Sequence, residues 1–426
     1  MPRTLAEKII ARAANLDRVK SGDIVTCQVD LAMMHDSGGP RRVAPILKRL
    51  GVGVWNPDKV VLVSDHYVPG DDDNAKSILQ LTRDWAHANA IKNFHDMKGI
   101  CHVVLPEHGH LKPGMFVVGG DSHSPTGGAF GCFMFGIGAT DLAGVLVTGE
   151  TWIKVPATIR INLSGKLRNG ISAKDINLAL CRKLGMGGGK YQVIEFAGSG
   201  IENLDIEERM TLCNMTAELG AMTGIIAPDT VTEQYLESVG AGGTNSADWQ
   251  SDPDANYLEQ HDLDLSDLAP QVAAPHSPAN AGPVEAHVDT PLDRAYIGAC
   301  TGAKLGDLHM AATILKGQTA APNVRLMVAP ASVKILADAK ADGTFDILTA
   351  AGAEFLASGC GICAGYIGDL LGENEVCISS TARNFQGRMG ASSSKVYLAS
   401  PYTVAASAIR GRVTDPRGFL ERVAHD

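Results

Sequence analysis

The chain has 426 residues, of which 45% are hydrophobic and 20% charged, and a formal net charge of −10. This length exceeds one ordinary hydrophobic core, so we expect two or three globular domains. The negative charge argues against nucleic acid or an acidic membrane as a partner, and an anionic ligand would therefore need local arginines.

Two further patterns bear on where the protein works. No apolar run is long enough for a transmembrane helix, and the first residues lack a signal-peptide pattern. The nine cysteines are odd in number and lack the spacing of a disulfide framework. We therefore expect a cytoplasmic protein without a membrane anchor.

The first third of the chain places polar residues where predicted strands end. Strand-like runs cover residues 22–36, 60–63 and 115–120. The polar residues that end these runs are His35, Asp36, Asp65, His66, Asp121, Ser122 and His123, while His102 lies in a short apolar run of its own. Functional groups of α/β proteins gather at such strand ends. An imidazole beside a carboxylate suits acid–base catalysis, although a single pair is often structural.

The rest of the chain alternates between predicted strands and helices. Residues 156–235 form a second α/β pattern, with Glu195 in one of its strands. Residues 240–290 are rich in Gly, Ala, Pro and Asp, which predicts a surface linker. The remainder repeats strand and helix, so we expect parallel sheets that are covered on both faces.

Three cysteines form the strongest candidate for a metal site. Cys360 and Cys363 lie in ASGCGICAG as a Cys-x-x-Cys pair, and Cys300 follows an apolar run. Thiolates are the usual ligands of iron–sulfur clusters, and three of them on a four-iron cluster would leave one iron open. A zinc site, a redox-active pair or a buried pair without function are the alternatives. The six cysteines expected to be core residues are Cys27, Cys101, Cys132, Cys181, Cys213 and Cys377.

Two arginines in TARNFQGRMG stand out in an acidic chain. Arg383 and Arg388 follow a predicted strand and flank a glycine. Guanidinium groups bind carboxylates bidentately, so this pair could hold a dicarboxylate. The alternative is that both are ordinary surface arginines.

Together these motifs resemble the aconitase and isopropylmalate dehydratase superfamily, and specifically its separate large subunits. The motifs, in the family's order, are SDHYVP, GGDSHSPTGGAFG, VIEFAGSG, IGACTGAKLGDL, SGCGICAG and TARNFQGRMG. The resemblance implies an α/β fold of three domains, residues 1–155, 156–285 and 291–426. It further implies mostly parallel sheets around a central [4Fe–4S] cluster, with the family's swivelling fourth domain carried by a separate small subunit.

The resemblance also assigns roles to residues. The implied cluster ligands are Cys300, Cys360 and Cys363. The implied acid–base pairs are Asp65 with His66, His102 with Asp121, and His123 with Glu195. The residues implied to contact the substrate are His35, Asp36, Ser122, Arg383 and Arg388. The implied partners are the small subunit and a small hydroxy acid, with no nucleic acid and no membrane.

The implied reaction is the reversible dehydration of a hydroxy-dicarboxylic acid, foremost of the 3-isopropylmalate dehydratase type. Two departures from the family pattern bear on the substrate: Gly302 and Ala382 stand where the family usually has asparagines. They make a smaller substituted malate an alternative, as in dimethylmalate, citramalate or maleate hydratases. A cluster-binding protein without catalysis is another alternative, but it predicts loss of the acid–base residues, and these are present.

Overall fold

The structure is a computed structural model that describes residues 2–366 and 368–423. Within these residues the chain forms helices α1–α14 and strands β1–β18, with short 3-10 turns between them. The helices are α1 (Leu5–Ala13), α2 (Pro40–Leu50), α3 (Asp73–Ala88), α4 (Cys101–Glu107), α5 (Ala139–Thr148), α6 (Ala173–Leu184), α7 (Ile206–Asn214), α8 (Thr230–Ser238), α9 (Leu305–Leu315), α10 (Val333–Ala341), α11 (Thr344–Ala350), α12 (Gly361–Ala364), α13 (Pro401–Arg410) and α14 (Arg417–Val423). The strands are β1 (Ile24–Gln28), β2 (Leu31–His35), β3 (Val60–Ser64), β4 (Asn93–Asp96), β5 (Phe116–Gly119), β6 (Phe133–Gly136), β7 (Glu150–Lys154), β8 (Thr158–Ser164), β9 (Val193–Ala197), β10 (Thr223–Ile226), β11 (Glu259–Asp264), β12 (Gln271–Ala273), β13 (Ala281–Pro283), β14 (Arg294–Ile297), β15 (Arg325–Val328), β16 (Glu354–Phe355), β17 (Val376–Ser379) and β18 (Lys395–Ala399).

The chain divides into two compact units, each made of several stretches of sequence. The first unit consists of residues 1–96, 101–164 and 187–263, and the second of residues 97–100, 165–186 and 264–426. The α/β class and the mostly parallel sheets expected from the sequence are confirmed. The division into three domains stays a prediction.

A five-stranded sheet in the order β4-β3-β2-β5-β6 organises the first unit. All four of its strand pairs are parallel. Every residue of β2 and of β3 is buried, which is typical of a parallel sheet covered by helices on both faces. Because the strands are parallel, the segments that follow β2, β3, β4 and β5 all leave the same edge of the sheet.

Residues 22–36, predicted to be one strand, form two. β1 pairs antiparallel with β7 in a separate two-stranded sheet, whereas β2 lies in the centre of the five-stranded sheet. The single-strand prediction was wrong because alternation continues across the junction at Val29 and Asp30, where Asp30 accepts a hydrogen bond from Phe116 N. The first unit also contains the four-stranded sheet β10-β9-β8-β11.

The second unit is built on a seven-stranded sheet in the order β13-β12-β18-β17-β14-β15-β16. The sheet is parallel from β18 to β16, and β12 and β13 add an antiparallel edge. Helices α9 and α13 contact each other and bury small residues such as Ala311 and Ala408, which allow close approach of the two helices. The turns after β14, β16 and β17 leave a common edge.

The predicted linker at residues 240–290 contains a buried strand. β12 is fully buried inside the seven-stranded sheet, and Gln271 N donates a 2.7 Å hydrogen bond to Asp175 in α6. The linker prediction was wrong here because a three-residue strand amid Pro and Ala has too few residues to show a period. None of the helices in the described residues has both the length and the hydropathy needed to cross a lipid bilayer.

Candidate active site

The parallel sheet of the first unit brings the predicted histidines and carboxylates together at one edge. His35 ends β2, Asp65 and His66 follow β3, and Asp121 follows β5. The ring of His35 stacks on that of His66, with centroids 4.1 Å apart. These strand ends therefore converge at one edge of the sheet.

Asp65 and His66 form a buried hydrogen-bonded pair. His66 Nδ1 lies 2.6 Å from Asp65 Oδ1, and the other oxygen of Asp65 accepts a 2.8 Å hydrogen bond from Cys101 N. Burial alone would lower the pKa of His66, but the charge of Asp65 and its hydrogen bond outweigh burial and raise that pKa above its usual value. The same contacts overcome the effect of burial on Asp65 and lower the pKa of its carboxyl. The pair is therefore an imidazolium and a carboxylate at neutral pH.

Asp36 and His35 complete this corner of the site. Asp36 is fully buried and accepts hydrogen bonds from the backbone N–H groups of His66 and Tyr67, both at 3.0 Å. Burial and the charge of Asp65 raise the pKa of Asp36. Burial and the neighbouring His66 lower the pKa of His35 to about 4. His35 is therefore a neutral imidazole at pH 7, with Nε2 3.0 Å from Gly120 O.

Asp121 is the centre of a second set of contacts. Its Oδ1 lies 2.7 Å from His102 Nε2 and accepts a 2.8 Å hydrogen bond from His123 N, while its Oδ2 lies 3.8 Å from His66 Nε2. Burial opposes ionisation, but the His102 contact holds the pKa of Asp121 well below its usual range. Ser122, which follows in the chain, has an exposed side chain. His102 and Asp121, which the resemblance pairs, are thus in hydrogen-bond contact, and their acid–base role stays a prediction.

The predicted pairing of His123 with Glu195 is wrong. His123 Nε2 lies 3.1 Å from Glu218 Oε1. Glu195 instead accepts hydrogen bonds from Ser251 Oγ at 2.7 Å and Tyr257 OH at 2.9 Å. Glu218 lies one turn beyond α7, and no local sequence pattern marks it as the partner of His123.

Both His–carboxylate groups have the composition of a cation site. In the set His35, Asp36, Asp65, His66 and in the set His102, Asp121, His123, one candidate ligand atom of each residue lies within 4.8 Å of the others. Hydrogen bonds within each set already use several of these atoms. The arrangement therefore favours proton transfer over metal binding.

The second unit carries the three predicted cysteine ligands at its own sheet edge. Cys300 follows β14, and Cys360 and Cys363 lie at the start of α12, beyond β16. Cys300 and Cys363 are buried and Cys360 is half-buried. All nine cysteines belong to the described residues, and none of them forms a disulfide.

The segment that carries Cys360 and Cys363 packs closely against a neighbouring loop. Burial, and then the charges of Cys363 and Cys360, raise the pKa of the Tyr296 phenol at the end of β14 well above its usual value. Gly365 has φ +71°, and a Cβ there would lie 2.2 Å from Arg388 O, so α12 packs directly against the arginine loop. The thiols, their burial and this glycine contact fit an iron–sulfur cluster.

Two buried lysines that sequence reasoning missed support the same loops. Lys304 Nζ donates hydrogen bonds to Cys300 O at 3.3 Å and Asp307 Oδ2 at 2.6 Å. Lys174 Nζ in α6 donates to Thr301 Oγ1 at 3.4 Å and Ser380 O at 3.1 Å. These two buried cations, one at Cys300 O and one at Thr301 Oγ1, compensate negative charge at this edge. Lys304 is marked in the sequence only by its position four residues after Cys300, and no pattern marks Lys174.

The arginine loop follows β17 at this edge. Arg383 and Arg388 are both half-buried, and Arg388 Nε is buried with no hydrogen-bond partner among the described residues. An unpaired buried guanidinium nitrogen carries a cost that an anionic ligand would remove. At the first departure from the family pattern, a Cβ on Gly302 would lie 2.2 Å from Ser380 Cβ and Oγ, so the fold excludes a side chain there.

Comparisons with known proteins agree with this arrangement. The model of the aconitase family (aconitate hydratase) matches residues 7–411. The chain belongs to the aconitase family. It is 43% identical to 3-isopropylmalate dehydratase large subunit 1 of Methanopyrus kandleri (99% of this chain, 100% of that protein) and 43% identical to the methanogen homoaconitase large subunit of Methanocaldococcus jannaschii (97% and 99%). It is also 40% identical to the 3-isopropylmalate dehydratase large subunit of Wolinella succinogenes (98% and 100%).

A solved structure shows the same fold at low sequence similarity. The crystal structure of Thermococcus kodakaraensis aconitase X superposes with a TM-score of 0.50 at 15% identity, over 84% of each chain. At this identity the match bears on the fold alone. Family membership supports a hydro-lyase, and proteins of the family carry an iron–sulfur cluster.

Proposed function

We propose that this chain is the large subunit of an iron–sulfur hydro-lyase of the 3-isopropylmalate dehydratase type. The observation that carries the proposal is the convergence of Asp65–His66 and His102–Asp121 at the carboxyl edge of one parallel sheet. These pairs supply proton transfer, which dehydration of a hydroxy acid requires. The reaction is the reversible loss of water from a hydroxy-dicarboxylate.

We assign the metal centre to Cys300, Cys360 and Cys363, as ligands of a [4Fe–4S] cluster. When bound, such a cluster with three protein thiolates supplies a Lewis-acidic iron for the substrate hydroxyl and a carboxylate. Lys304 holds the backbone carbonyl of Cys300 and so fixes the turn that presents this ligand. Arg383 and Arg388 bind substrate carboxylates, which gives the Nε of Arg388 its partner.

The acid–base roles follow from the hydrogen bonds. Asp65 keeps His66 protonated, so its imidazolium can give a proton to the leaving hydroxyl. Asp121 orients His102 through Nε2, and His102 Nδ1 has no hydrogen-bond partner among the described residues, which leaves it to accept or donate a proton. Glu218 takes the role first given to Glu195 and orients His123. His35 and Ser122 lie at the same edge as polar contacts for the substrate, whereas Asp36 holds the backbone of His66 and Tyr67 in place.

The partner we propose is a small subunit that carries the swivelling domain and the base that removes the α-proton. Homocitrate is a second candidate substrate. The relative named methanogen homoaconitase large subunit is 43% identical to this chain, the same identity as for the dehydratase of Methanopyrus kandleri. Smaller substituted malates remain in the test panel because of Gly302 and Ala382. We place the assembly in the cytoplasm, where nine thiols would stay reduced.

The test begins with metal content. The large subunit, purified and reconstituted without oxygen, should contain about four iron and four sulfide ions per chain and show a broad visible absorbance. Cys300→Ala should lose this complement, whereas Cys181→Ala, at another buried cysteine, should keep it. With its small subunit, the wild type should dehydrate 3-isopropylmalate faster than homocitrate or the smaller malates. Zinc in place of iron, or full iron in the Cys300 variant, would contradict the assignment.

A further inference from the structure

Three histidines outside the proposed acid–base chemistry cluster in the first unit. His95 lies in β4, and His108 and His110 lie in the loop that follows α4. His95 Nε2 lies 2.8 Å from His110 Nε2. The ring of His95 also packs on that of His108, with centroids 4.1 Å apart. Three imidazoles from two segments of the chain thus share one small volume.

The contact between His95 and His110 fixes the protonation state of one of the two facing nitrogens. Two ring nitrogens at 2.8 Å form a hydrogen bond only if one of them is unprotonated. An unprotonated imidazole nitrogen is the form that binds metal ions. In a tetrahedral zinc site, bonds of about 2.0–2.1 Å place neighbouring nitrogens about 3.3 Å apart. To bind one ion, the two rings must therefore separate slightly and turn so that both lone pairs face it, and the proton between them moves to the other ring nitrogen of its histidine or to water.

The third histidine can complete the site. His108 is exposed, whereas His95 and His110 are half-buried. The centroids of His108 and His110 are 6.2 Å apart, so His108 must turn from its stacked position to bring a nitrogen to the same ion. Staggered side-chain rotamers interconvert at small cost on an exposed side chain, so a change of rotamer is the movement that the site requires of His108. Two nitrogens are therefore already adjacent, and a third is within reach.

We propose that His95, His108 and His110 bind one divalent transition-metal ion of the zinc class, with water in the remaining position. Imidazole ligands suit Zn²⁺, Cu²⁺ and Ni²⁺ rather than Mg²⁺ or Ca²⁺. The ion would join the end of β4 to the loop after α4. Since α4 carries His102, the ion would hold both ends of the segment that positions this histidine. Its role is therefore structural support for the acid–base site.

The experiment titrates Co²⁺ into the cluster-loaded chain and follows visible absorbance and bound metal. Cobalt reports its ligands, because thiolate ligation adds charge-transfer bands that imidazole ligation lacks. The wild type should bind one more Co²⁺ per chain than His108→Gln/His110→Gln, with no thiolate band in the difference spectrum, and Zn²⁺ should displace that ion. His87→Gln, at an exposed histidine of α3, should behave as the wild type.

A single variant tests the proposal even if the double variant fails to fold. His108→Gln changes only the exposed ring and should weaken Co²⁺ binding by at least about tenfold, since even the partners of metal ligands affect affinity by this much. Equal stoichiometry and affinity in the wild type and both variants would overturn the proposal and leave a histidine–histidine hydrogen bond. Because the readout is metal binding, this result would not bear on the dehydratase function.

Discussion

Glu218, rather than Glu195, is the carboxylate that faces His123, with 3.1 Å between Glu218 Oε1 and His123 Nε2. Glu218 is fully buried, and a carboxylate in this position fixes the tautomer and orientation of the imidazole. Glu195 is also buried, but its two carboxylate oxygens accept hydrogen bonds from Ser251 and Tyr257. The two glutamates are therefore matched in burial and differ in what they contact.

This difference gives a paired prediction. Glu218→Gln should lower kcat of the assembled enzyme by on the order of 10²-fold or more, because a neutral amide no longer supplies the carboxylate charge that faces and orients His123. Glu195→Gln should leave kcat nearly unchanged, since burial already raises the pKa of Glu195 and an amide can keep the Tyr257 contact. Steady-state kinetics of both variants at equal cluster content make the comparison. A larger loss at Glu195 would contradict the assignment.

Removal of one partner of the buried Asp65–His66 pair should destabilise the first unit. Asp65→Asn leaves the His66 imidazolium buried without its carboxylate, which typically costs about 3–5 kcal/mol. All four tryptophans lie in the first unit, so urea unfolding followed by tryptophan fluorescence reports on it alone. The double variant Asp65→Asn/His66→Gln should lose less stability than Asp65→Asn. Equal stability of the single variant and the wild type would show that the pair is not ionised.

His35 should make stability depend on pH in a defined window. Its pKa is about 4 in the fold against 6.5 for the free side chain, because burial and His66 disfavour the cation. Between these values the unfolded chain binds a proton that the folded chain does not, so stability falls as pH decreases from about 6.5 to about 4. The slope from one such group is at most about 1.4 kcal/mol per pH unit.

The measurement compares tryptophan-detected unfolding midpoints of wild type, His35→Gln and His87→Gln across this window, in the cluster-free chain. His35→Gln should show a shallower decline than the wild type, and the exposed control His87→Gln should follow the wild type. Parallel curves for wild type and His35→Gln would mean that His35 takes up its proton in the folded state as well.

Any side chain at position 302 should lower the stability of the fold. Gly302→Ala places a Cβ 2.2 Å from Ser380 Cβ and Oγ, and overpacking of this kind typically costs about 1–3 kcal/mol. Gly302→Ala/Ser380→Gly should recover part of the loss. Gly144→Ala, in α5 with no atom within 4 Å of the new Cβ, should instead stabilise by roughly 0.4–1 kcal/mol. Calorimetric melting of the three variants tests this, and an unchanged melting temperature for Gly302→Ala would show that Ser380 moves freely.

The sequence predicted the strand ends of the first unit because β2, β3 and β5 are buried apolar runs that stop at a polar residue. A parallel sheet brings such ends together whatever the intervening chain does, so His66 and Asp121 could be placed near each other without coordinates.

What could not be predicted depends on contacts between distant segments. Glu218 reaches His123 from a turn 95 residues later in the chain, and no local pattern marks that approach. Lys174 is similar, since its partners Thr301 and Ser380 lie 127 and 206 residues away. Strand β12 was not predicted for another reason, because three residues are too few to show a hydrophobic periodicity.

The interleaving of the two units along the chain has a consequence for synthesis on the ribosome. Helix α6 emerges early, yet its partners, Gln271 for Asp175 and Ser380 for Lys174, are translated about 100 to 200 residues later. The first unit likewise needs residues up to 263 before its last sheet can close. Long-range closure of this kind is slow and leaves apolar surface open for longer. Helix α6 should therefore lack its packing partners for much of translation. We expect chaperones that bind nascent chains to recognise this state.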